Sequence, residues 1–370
     1  MRKGMRSVLS ERTAAPAASA RGGAWPLADP FEIGRLRLAN RVVQPPLAGI
    51  ANWAFRRQSR RHGAGLAVSE MVASMGVRQG NRRTVAMLAT APDEHPVGVQ
   101  LFGTEPDVMA EAARAAVDAG ADMVDVNMGC PVPKVCKTGA GAALLDDLDR
   151  AERIVRAMAD AVPVPVTVKM RRGTTPATAD PVGAARRLAA AGAAALFVHP
   201  RAASEEYAGR ADHRITAAVA AAVDVPVVAS GDIRSAEEAR RVVEDHGAAA
   251  VAIGRAALGN PWAYGEIAAG RPAPERTLGD VVAEIAAFAR DARAALGDQR
   301  ACAYLRKFYL WYLAGRGVAA GDRDALLIAP TIDEALERLA ALAARHAAEL
   351  EVSPEPAHPS APHTAASPCS

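Results

Sequence analysis

Short apolar, β-branched runs recur through the middle of the chain, each separated from the next by a longer stretch with helical periodicity. In order they are Val42–Val43, Leu66–Val68, Val97–Leu101, Met123–Asn127, Val164–Lys169, Leu196–Val198, Val225–Ala229 and Ala249–Ile253. Their typical spacing of about 25–30 residues is the length of a strand plus a crossover helix. The intervening stretches carry helix boundaries. Thr104-Glu-Pro106 opens one helix and Gly120 closes it; Asp180-Pro181 opens another and Gly192 closes it; Ser235-Ala-Glu-Glu238 reads as a capping box. Alternating strands and helices predict a parallel sheet, and eight repeats predict a closed (β/α)8 TIM barrel, assigned to residues 25–264.

The polar residues fall just after the apolar runs: Gln100, Asn127 with Cys130, Lys169 with Arg171, His199 with Arg201, Ser230-Gly-Asp232 and Gly254-Arg255. In a barrel all these strand ends share one face, the face that carries chemistry, whereas a doubly wound sheet uses only a few ends at its switch point. Beyond Pro261 the strand pattern stops. Leu278, Val281, Val282, Ile285 and Phe288 recur at helical spacing, Tyr304–Leu313 joins aromatics to Arg306 and Lys307, and Ile332, Leu336, Leu339 and Leu342 mark a last helix. Residues 265–350 are therefore expected to form a smaller helical domain. Its aromatic stripe reads equally as a bundle core and as an RNA-binding face.

Composition narrows the class. Half of the 370 residues are hydrophobic but only 4% are aromatic, so packing is mostly aliphatic. A net charge of +3 is compatible with an anionic substrate without defining one. No apolar run is long enough for a membrane span. Cys130, Cys136, Cys302 and Cys369 lack the paired spacing of a zinc site, so no metal is expected and the thiols are read as free, in a cytoplasmic protein. Residues 1–24 are rich in Arg, Ala and Ser, a composition shared by transit peptides, and are read as a disordered extension; residues 351–370 are read as a disordered tail.

Three features carry candidate chemistry. Loops after strands seven and eight form the usual phosphate site of such barrels, and Gly231 and Gly254 allow close backbone approach while Arg255 adds charge; glycines of this kind also simply close tight turns. Lys169 and His199, ending strands five and six, suit a bound ring cofactor whose reduced, anionic form a cation stabilises, with Gln100 at its polar edge; either residue alone is an ordinary rim residue. Cys130 lies in a Gly-Cys-Pro turn at a strand end, where it can act as nucleophile, acid or packing residue.

These residues resemble those of the tRNA-dihydrouridine synthase family, nearest its bacterial B-type branch, from about Pro45 to Gly315. The likeness rests on Pro46-Leu-Ala-Gly-Ile50, Phe55-Arg56, Gly63-Ala-Gly65, Ser69-Glu-Met71, Val99-Gln-Leu-Phe-Gly103, Asn127-Met-Gly-Cys-Pro131, Gly139-Ala-Gly-Ala-Ala-Leu-Leu145, Lys169-Met-Arg171, Gly231-Asp-Ile233, Gly254-Arg255 and Gly259-Asn-Pro-Trp262. The resemblance implies a barrel carrying FMN and a C-terminal helical tRNA-binding domain. It places FMN contacts at Pro46, Leu47, Ala48, Gln100, Lys169, His199, Ser230, Gly231, Asp232, Gly254 and Arg255, with Asn127 and Arg171 near the uracil. It further implies that NADPH reduces the flavin, that hydride passes to C6 of a D-loop uridine, that Cys130 protonates C5 as general acid, and that the protein is a monomer. The chain departs from the family pattern at Ala51-Asn52, at His199-Pro-Arg-Ala202, at Ser230 and at Phe308. Two alternatives stand beside this reading: an FMN barrel oxidoreductase acting on a free small molecule, and a non-catalytic RNA-binding paralogue.

Overall fold

A computed structural model describes residues 25–272 and 274–352; the expectations for residues 1–24, for Cys369 and for the tail beyond Val352 lie outside the described residues. The chain divides into two compact units, Met1–Pro274 and Glu275–Ser370.

In the first unit eight parallel strands close on themselves, as the eight apolar runs predict. They are β1 (Val42–Gln44), β2 (Leu66–Val68), β3 (Val97–Phe102), β4 (Met123–Met128), β5 (Val166–Arg171), β6 (Ala195–His199), β7 (Val227–Ser230) and β8 (Ala250–Ala252). Closure is made at β1, where Val43 lies opposite Leu66 of β2 and Val42 opposite Val251 of β8. Three strands start later than their apolar runs, β8 by one residue and β5 and β7 by two. Pro165 and Pro226 have no N–H to give a ladder, so β5 and β7 begin just after them.

The two-residue pleat sorts each strand into two faces. Outward residues such as Val124, Val126, Val168, Leu196 and Val198 pack on the alanine-rich faces of helices Pro106–Asp118, Leu148–Ala161 and Pro181–Ala190. Inward residues Val43, Leu66, Val68, Met123, Ala195, Phe197, Val228 and Ala250 fill the barrel. A hairpin that the run pattern does not disclose, Phe31–Ile33 paired with Leu36–Leu38, adds Phe31, Ile33 and Leu38 to this interior cluster. Its turn uses Gly34 at φ +55°, and a Cβ there would lie 3.4 Å from Pro165, at the start of β5. The hairpin therefore plugs the end of the barrel where the strands begin.

Helix starts follow the sequence signals with one difference. Asp180 accepts from Gly183 N at 2.8 Å, and Ser235 Oγ accepts from Glu238 N at 3.1 Å. The expected capping box at Ser235 is only half formed, because the Glu238 carboxylate reaches one residue further and accepts from Arg234 N at 2.7 Å. Behind the loop that follows β1, helix Trp53–Arg61 starts on Asn52, whose side chain accepts from Ala54 N and Phe55 N. Its Arg56 is 2% exposed and forms a bidentate pair with Glu94, 0% exposed, through Nε and Nη2 at 2.9 Å each. Arg56 also donates to Ala51 O at 3.2 Å and Ala89 O at 2.8 Å, while Glu94 accepts from Ala91 N at 2.6 Å.

The second unit holds helices Leu278–Leu296, Asp298–Leu313, Ala320–Leu327 and Ile332–Val352. The last runs two residues into the segment read as tail. The aromatic stripe left open by the sequence supplies bundle core: Phe308, Tyr309 and Tyr312 are buried, and the Phe308 ring lies 4.9 Å from Phe288, 4.8 Å from Tyr304 and 5.0 Å from Trp311, centroid to centroid. No helix of the described residues is long and apolar enough to cross a membrane.

Candidate active site

The C-terminal ends of β1, β5, β6, β7 and β8 surround one cavity lined by Pro45, Pro46, Leu47, Lys169, His199, Tyr207, Ser230, Gly231, Asp232, Gly254 and Arg255, among others. It gathers every residue expected at the flavin except two. Ala48 is exposed beside it on the β1 loop, and Gln100 is buried deeper, inside the barrel. At Gly231, φ is +110° and a Cβ would stand 2.6 Å from the His199 ring, so both the backbone conformation and the space demand glycine.

Cations dominate this mouth. Lys169 and Arg171 from the end of β5, Arg201 from the loop after β6 and Arg255 from the turn after β8 converge here, and Asp232 is the carboxylate among the cavity-lining residues. Asp232 accepts from Arg201 Nη2 at 2.5 Å, from Arg255 Nη2 at 3.2 Å and from Ala211 N at 2.8 Å. Burial pushes its carboxyl up, but the Arg201 and Ala211 bonds outweigh burial and leave it below the usual carboxylate range. His199 is held neutral: burial lowers its pKa far below the ordinary value, and Lys169, Arg171 and Arg201 lower it further. Its Nε2 lies 3.3 Å from Arg201 Nη1, a group that can only donate, so Nε2 accepts and the ring proton is assigned to Nδ1. Burial lowers Lys169 to about 8, opposed by the negative charge of Asp125.

Cys130 sits on a turn built by Asn127, whose Oδ1 accepts from Gly129 N at 3.2 Å and Cys130 N at 2.9 Å. Cys130 O in turn accepts from Ala142 N at 3.1 Å and from Cys136 Sγ at 3.2 Å, so Cys136 braces the turn from below. The half-buried Cys130 thiol is raised above its ordinary pKa, chiefly by burial, which the Val132 backbone hydrogen bond and the Arg171 and Lys169 charges only partly offset. Arg171, assigned from sequence to the substrate, is 3% exposed and bonded to three carbonyls: Gly129 O at 3.0 Å, Ala202 O at 2.9 Å and Glu206 O at 2.8 Å. It ties the cysteine turn to the loop after β6. That loop tolerates Ala202 because the Glu205 carboxylate accepts from Ala202 N at 2.6 Å and pairs with Arg172 at 2.8 Å.

Three residues of the mouth escape the sequence reading. Tyr207, 60% exposed, lies under Arg255 at 4.6 Å and Arg171 at 5.8 Å from its centroid; it stands in an irregular loop that no periodicity marks. Asp125 and Thr167 face into the barrel beside Gln100, and Thr167 Oγ1 donates to Asp125 Oδ1 at 2.6 Å. Their signal was present, since a carboxylate inside an apolar strand at an inward position needs a partner.

A closed βα barrel with glycine turns after β7 and β8, cations gathered at the ends of β5, β6 and β8, and a cysteine held at the end of β4 has the chemistry of a barrel enzyme collected at its C-terminal mouth. The comparisons agree and narrow the class. The chain belongs to the dihydrouridine synthase family, whose model, described as "Dihydrouridine synthase (Dus)", matches residues 42–346. It is 39% identical over 310 residues to tRNA-dihydrouridine synthase B of Xanthomonas axonopodis pv. citri, covering 83% of this chain and 93% of that protein. It is also 39% identical over 286 residues to tRNA-dihydrouridine synthase B of Pseudomonas aeruginosa, covering 76% and 86%. Among solved structures, a variant of NCR from Zymomonas mobilis shares the fold with a TM-score of 0.52 at 18% identity, covering 69% of this chain and 94% of that one. A 2-naphthoyl-CoA reductase complex does so with a TM-score of 0.55 at 13% identity, covering 67% and 52%.

Proposed function

We propose that this chain reduces uridine to 5,6-dihydrouridine in the D-loop of tRNA, with FMN in the barrel mouth, NADPH as reductant and Cys130 as the acid that protonates C5. The observation that carries the proposal is Cys130, held at the end of β4 on a turn fixed by Asn127 and within electrostatic reach of Lys169, which lines the cationic cavity. The residues present fit a flavin phosphate. Gly231 has no room for a side chain, and Arg255 is half exposed at the cavity edge, with Lys169 deeper in. Bound FMN supplies the hydride that goes to C6. Lys169, Ser230, Gly231 and Arg255 hold and orient it, and neutral His199 donates from its Nδ1 or accepts there only after that proton has left.

The thiol suits a proton donor. Its raised pKa keeps it protonated at neutral pH, so it gives its proton only to a base as strong as the carbon it faces. A base inside folded RNA is out of reach, so the uridine is extruded into the mouth, where Tyr207, 60% exposed beside Arg171 and Arg255, presents aromatic surface to it. The helical unit from Glu275 is assigned to tRNA binding, with phosphate contacts by Lys and Arg and a correspondingly steep salt dependence.

The test is anaerobic reduction of the purified flavoprotein followed by addition of tRNA lacking dihydrouridine, with flavin absorbance as readout. Rapid reoxidation by that tRNA, absent with fully modified tRNA, is the expected result. Bound flavin that tRNA cannot reoxidise overturns the substrate assignment, and a protein that takes up no FMN overturns the cofactor.

A further inference from the structure

Asp125 lies on β4, 1% exposed, two residues before Asn127 on the same inward face. It does not reach Cys130, but a continuous chain of side chains connects them. Gln100 Nε2 donates to Asp125 Oδ2 at 2.7 Å, and Asn127 Nδ2 donates to Gln100 Oε1 at 2.8 Å. Asn127 Oδ1 then accepts the backbone N–H groups of Gly129 and Cys130. Gln100, expected from sequence at the flavin edge, thus has both ends of its amide engaged inside the protein.

We propose that Asp125 is a positioning residue, which by accepting from Gln100 fixes the direction of the Gln100–Asn127 amide chain and so holds the Cys130 turn in place. This rests on the assignment of Cys130 to the reaction, but the chain of bonds is testable apart from it. The physical reason is polarity. A side-chain amide is nearly symmetric in shape, and only its partners decide which end is N–H and which is C=O. At one end of this chain stand two backbone N–H groups that can only donate. At the other stands a carboxylate that can only accept, with Thr167 Oγ1 filling its second oxygen. The two amides between them satisfy both ends in one orientation alone. Burial raises Asp125 to about 6, and its Thr167 and Gln100 bonds and the charge of Lys169 restrain that rise, so at neutral pH it is in the accepting form. A buried chain satisfied at every link is rigid, and a link without its partner is costly.

The experiment reads the position of Cys130 directly, as the iodoacetamide alkylation rate of the Cys130 peptide by mass spectrometry on flavin-loaded protein without tRNA. Asp125→Ala is expected to raise that rate about tenfold and to lower kcat on tRNA more than it raises KM. Asp125→Asn, which can accept from Gln100 while turning its own N–H groups to Thr167 Oγ1, is expected to restore the wild-type rate within about twofold. Asn127→Ala should match Asp125→Ala, and the two together should add nothing further, because they cut one chain. Should Asp125→Ala fail to fold, Gln100→Met breaks the chain one link higher and carries the same expectation. An unchanged Cys130 alkylation rate in the folded variants, or additive effects in the double variant, overturns the proposal. Altered alkylation with undiminished turnover upholds the positioning chain and removes Cys130 from the reaction.

Discussion

The Arg56–Glu94 pair offers the sharpest energetic test. Glu94→Gln keeps the shape of the side chain but sets an amide N–H against the Arg56 guanidinium, which is 2% exposed and donates to Glu94 at two positions. The variant leaves a buried cation without its counter-charge, a defect that costs about 3–5 kcal/mol. At roughly 2–4 °C per kcal/mol for a unit of this size, the midpoint should fall on the order of 10 °C. The same guanidinium donates to Ala51 O, at the end of the β1 loop that lines the cavity, so flavin retention should weaken as well. The assay is thermal unfolding by circular dichroism on wild type, Glu94→Gln, Arg56→Met and the double variant. Once the cation is gone its missing partner matters little, so the cycle should give a coupling of roughly 1–3 kcal/mol. A single-variant loss below 1 kcal/mol, or additive effects, would show that the pair is not the anchor its burial implies.

Three further outcomes are expected. The rate of flavin reoxidation by tRNA should fall on the alkaline side in two steps. Lys169 loses its charge as pH rises through about 8, and the Cys130 thiol, raised by burial, loses its proton higher; Lys169→Arg should remove the first step and leave the second in a stopped-flow pH profile. Gly231→Ala forces a side chain into a backbone with φ +110° and against the His199 ring, so the flavin-to-protein ratio after gel filtration should drop several-fold, and a full complement of flavin would refute the cradle. Phe308→Ala empties the aromatic centre of the helical unit and should cost about 3–5 kcal/mol in denaturant unfolding; a variant that instead kept its stability and lost tRNA affinity would make the stripe a binding face.

The barrel could be read in the sequence because each strand is a short apolar run, a signal that recurs eight times, and because six of the runs end in a polar residue. Strand limits were less legible where prolines interrupt the runs, as at Pro165 and Pro226. The hairpin from Phe31 to Leu38 was hidden because two three-residue strands leave almost no periodic trace. The cavity residues were foreseen because they cluster at strand ends in motifs: Gly231, Gly254, Arg255, Lys169 and His199 meet in one cavity. What the motifs did not convey was partnership. Arg171 bonds backbone carbonyls and Gln100 bonds its neighbours in the barrel, because side-chain direction depends on the register between β3, β4 and β5, which no single strand encodes. Tyr207 reaches the site from an irregular loop, for which neither period nor motif gives warning.

The hairpin plug has a consequence for time rather than for shape. With Phe31, Ile33 and Leu38 packed at the end where the strands begin, the layer of Gln100, Asp125 and Thr167 is closed to solvent, 1% exposed or less. Proton exchange between Asp125 and bulk water therefore waits on a local opening of the barrel. After a pH jump across about 6 the layer is then expected to reach its new protonation state later than the surface does, a slow phase that the infrared absorption of the Asp125 carboxylate in a pH-jump experiment would show.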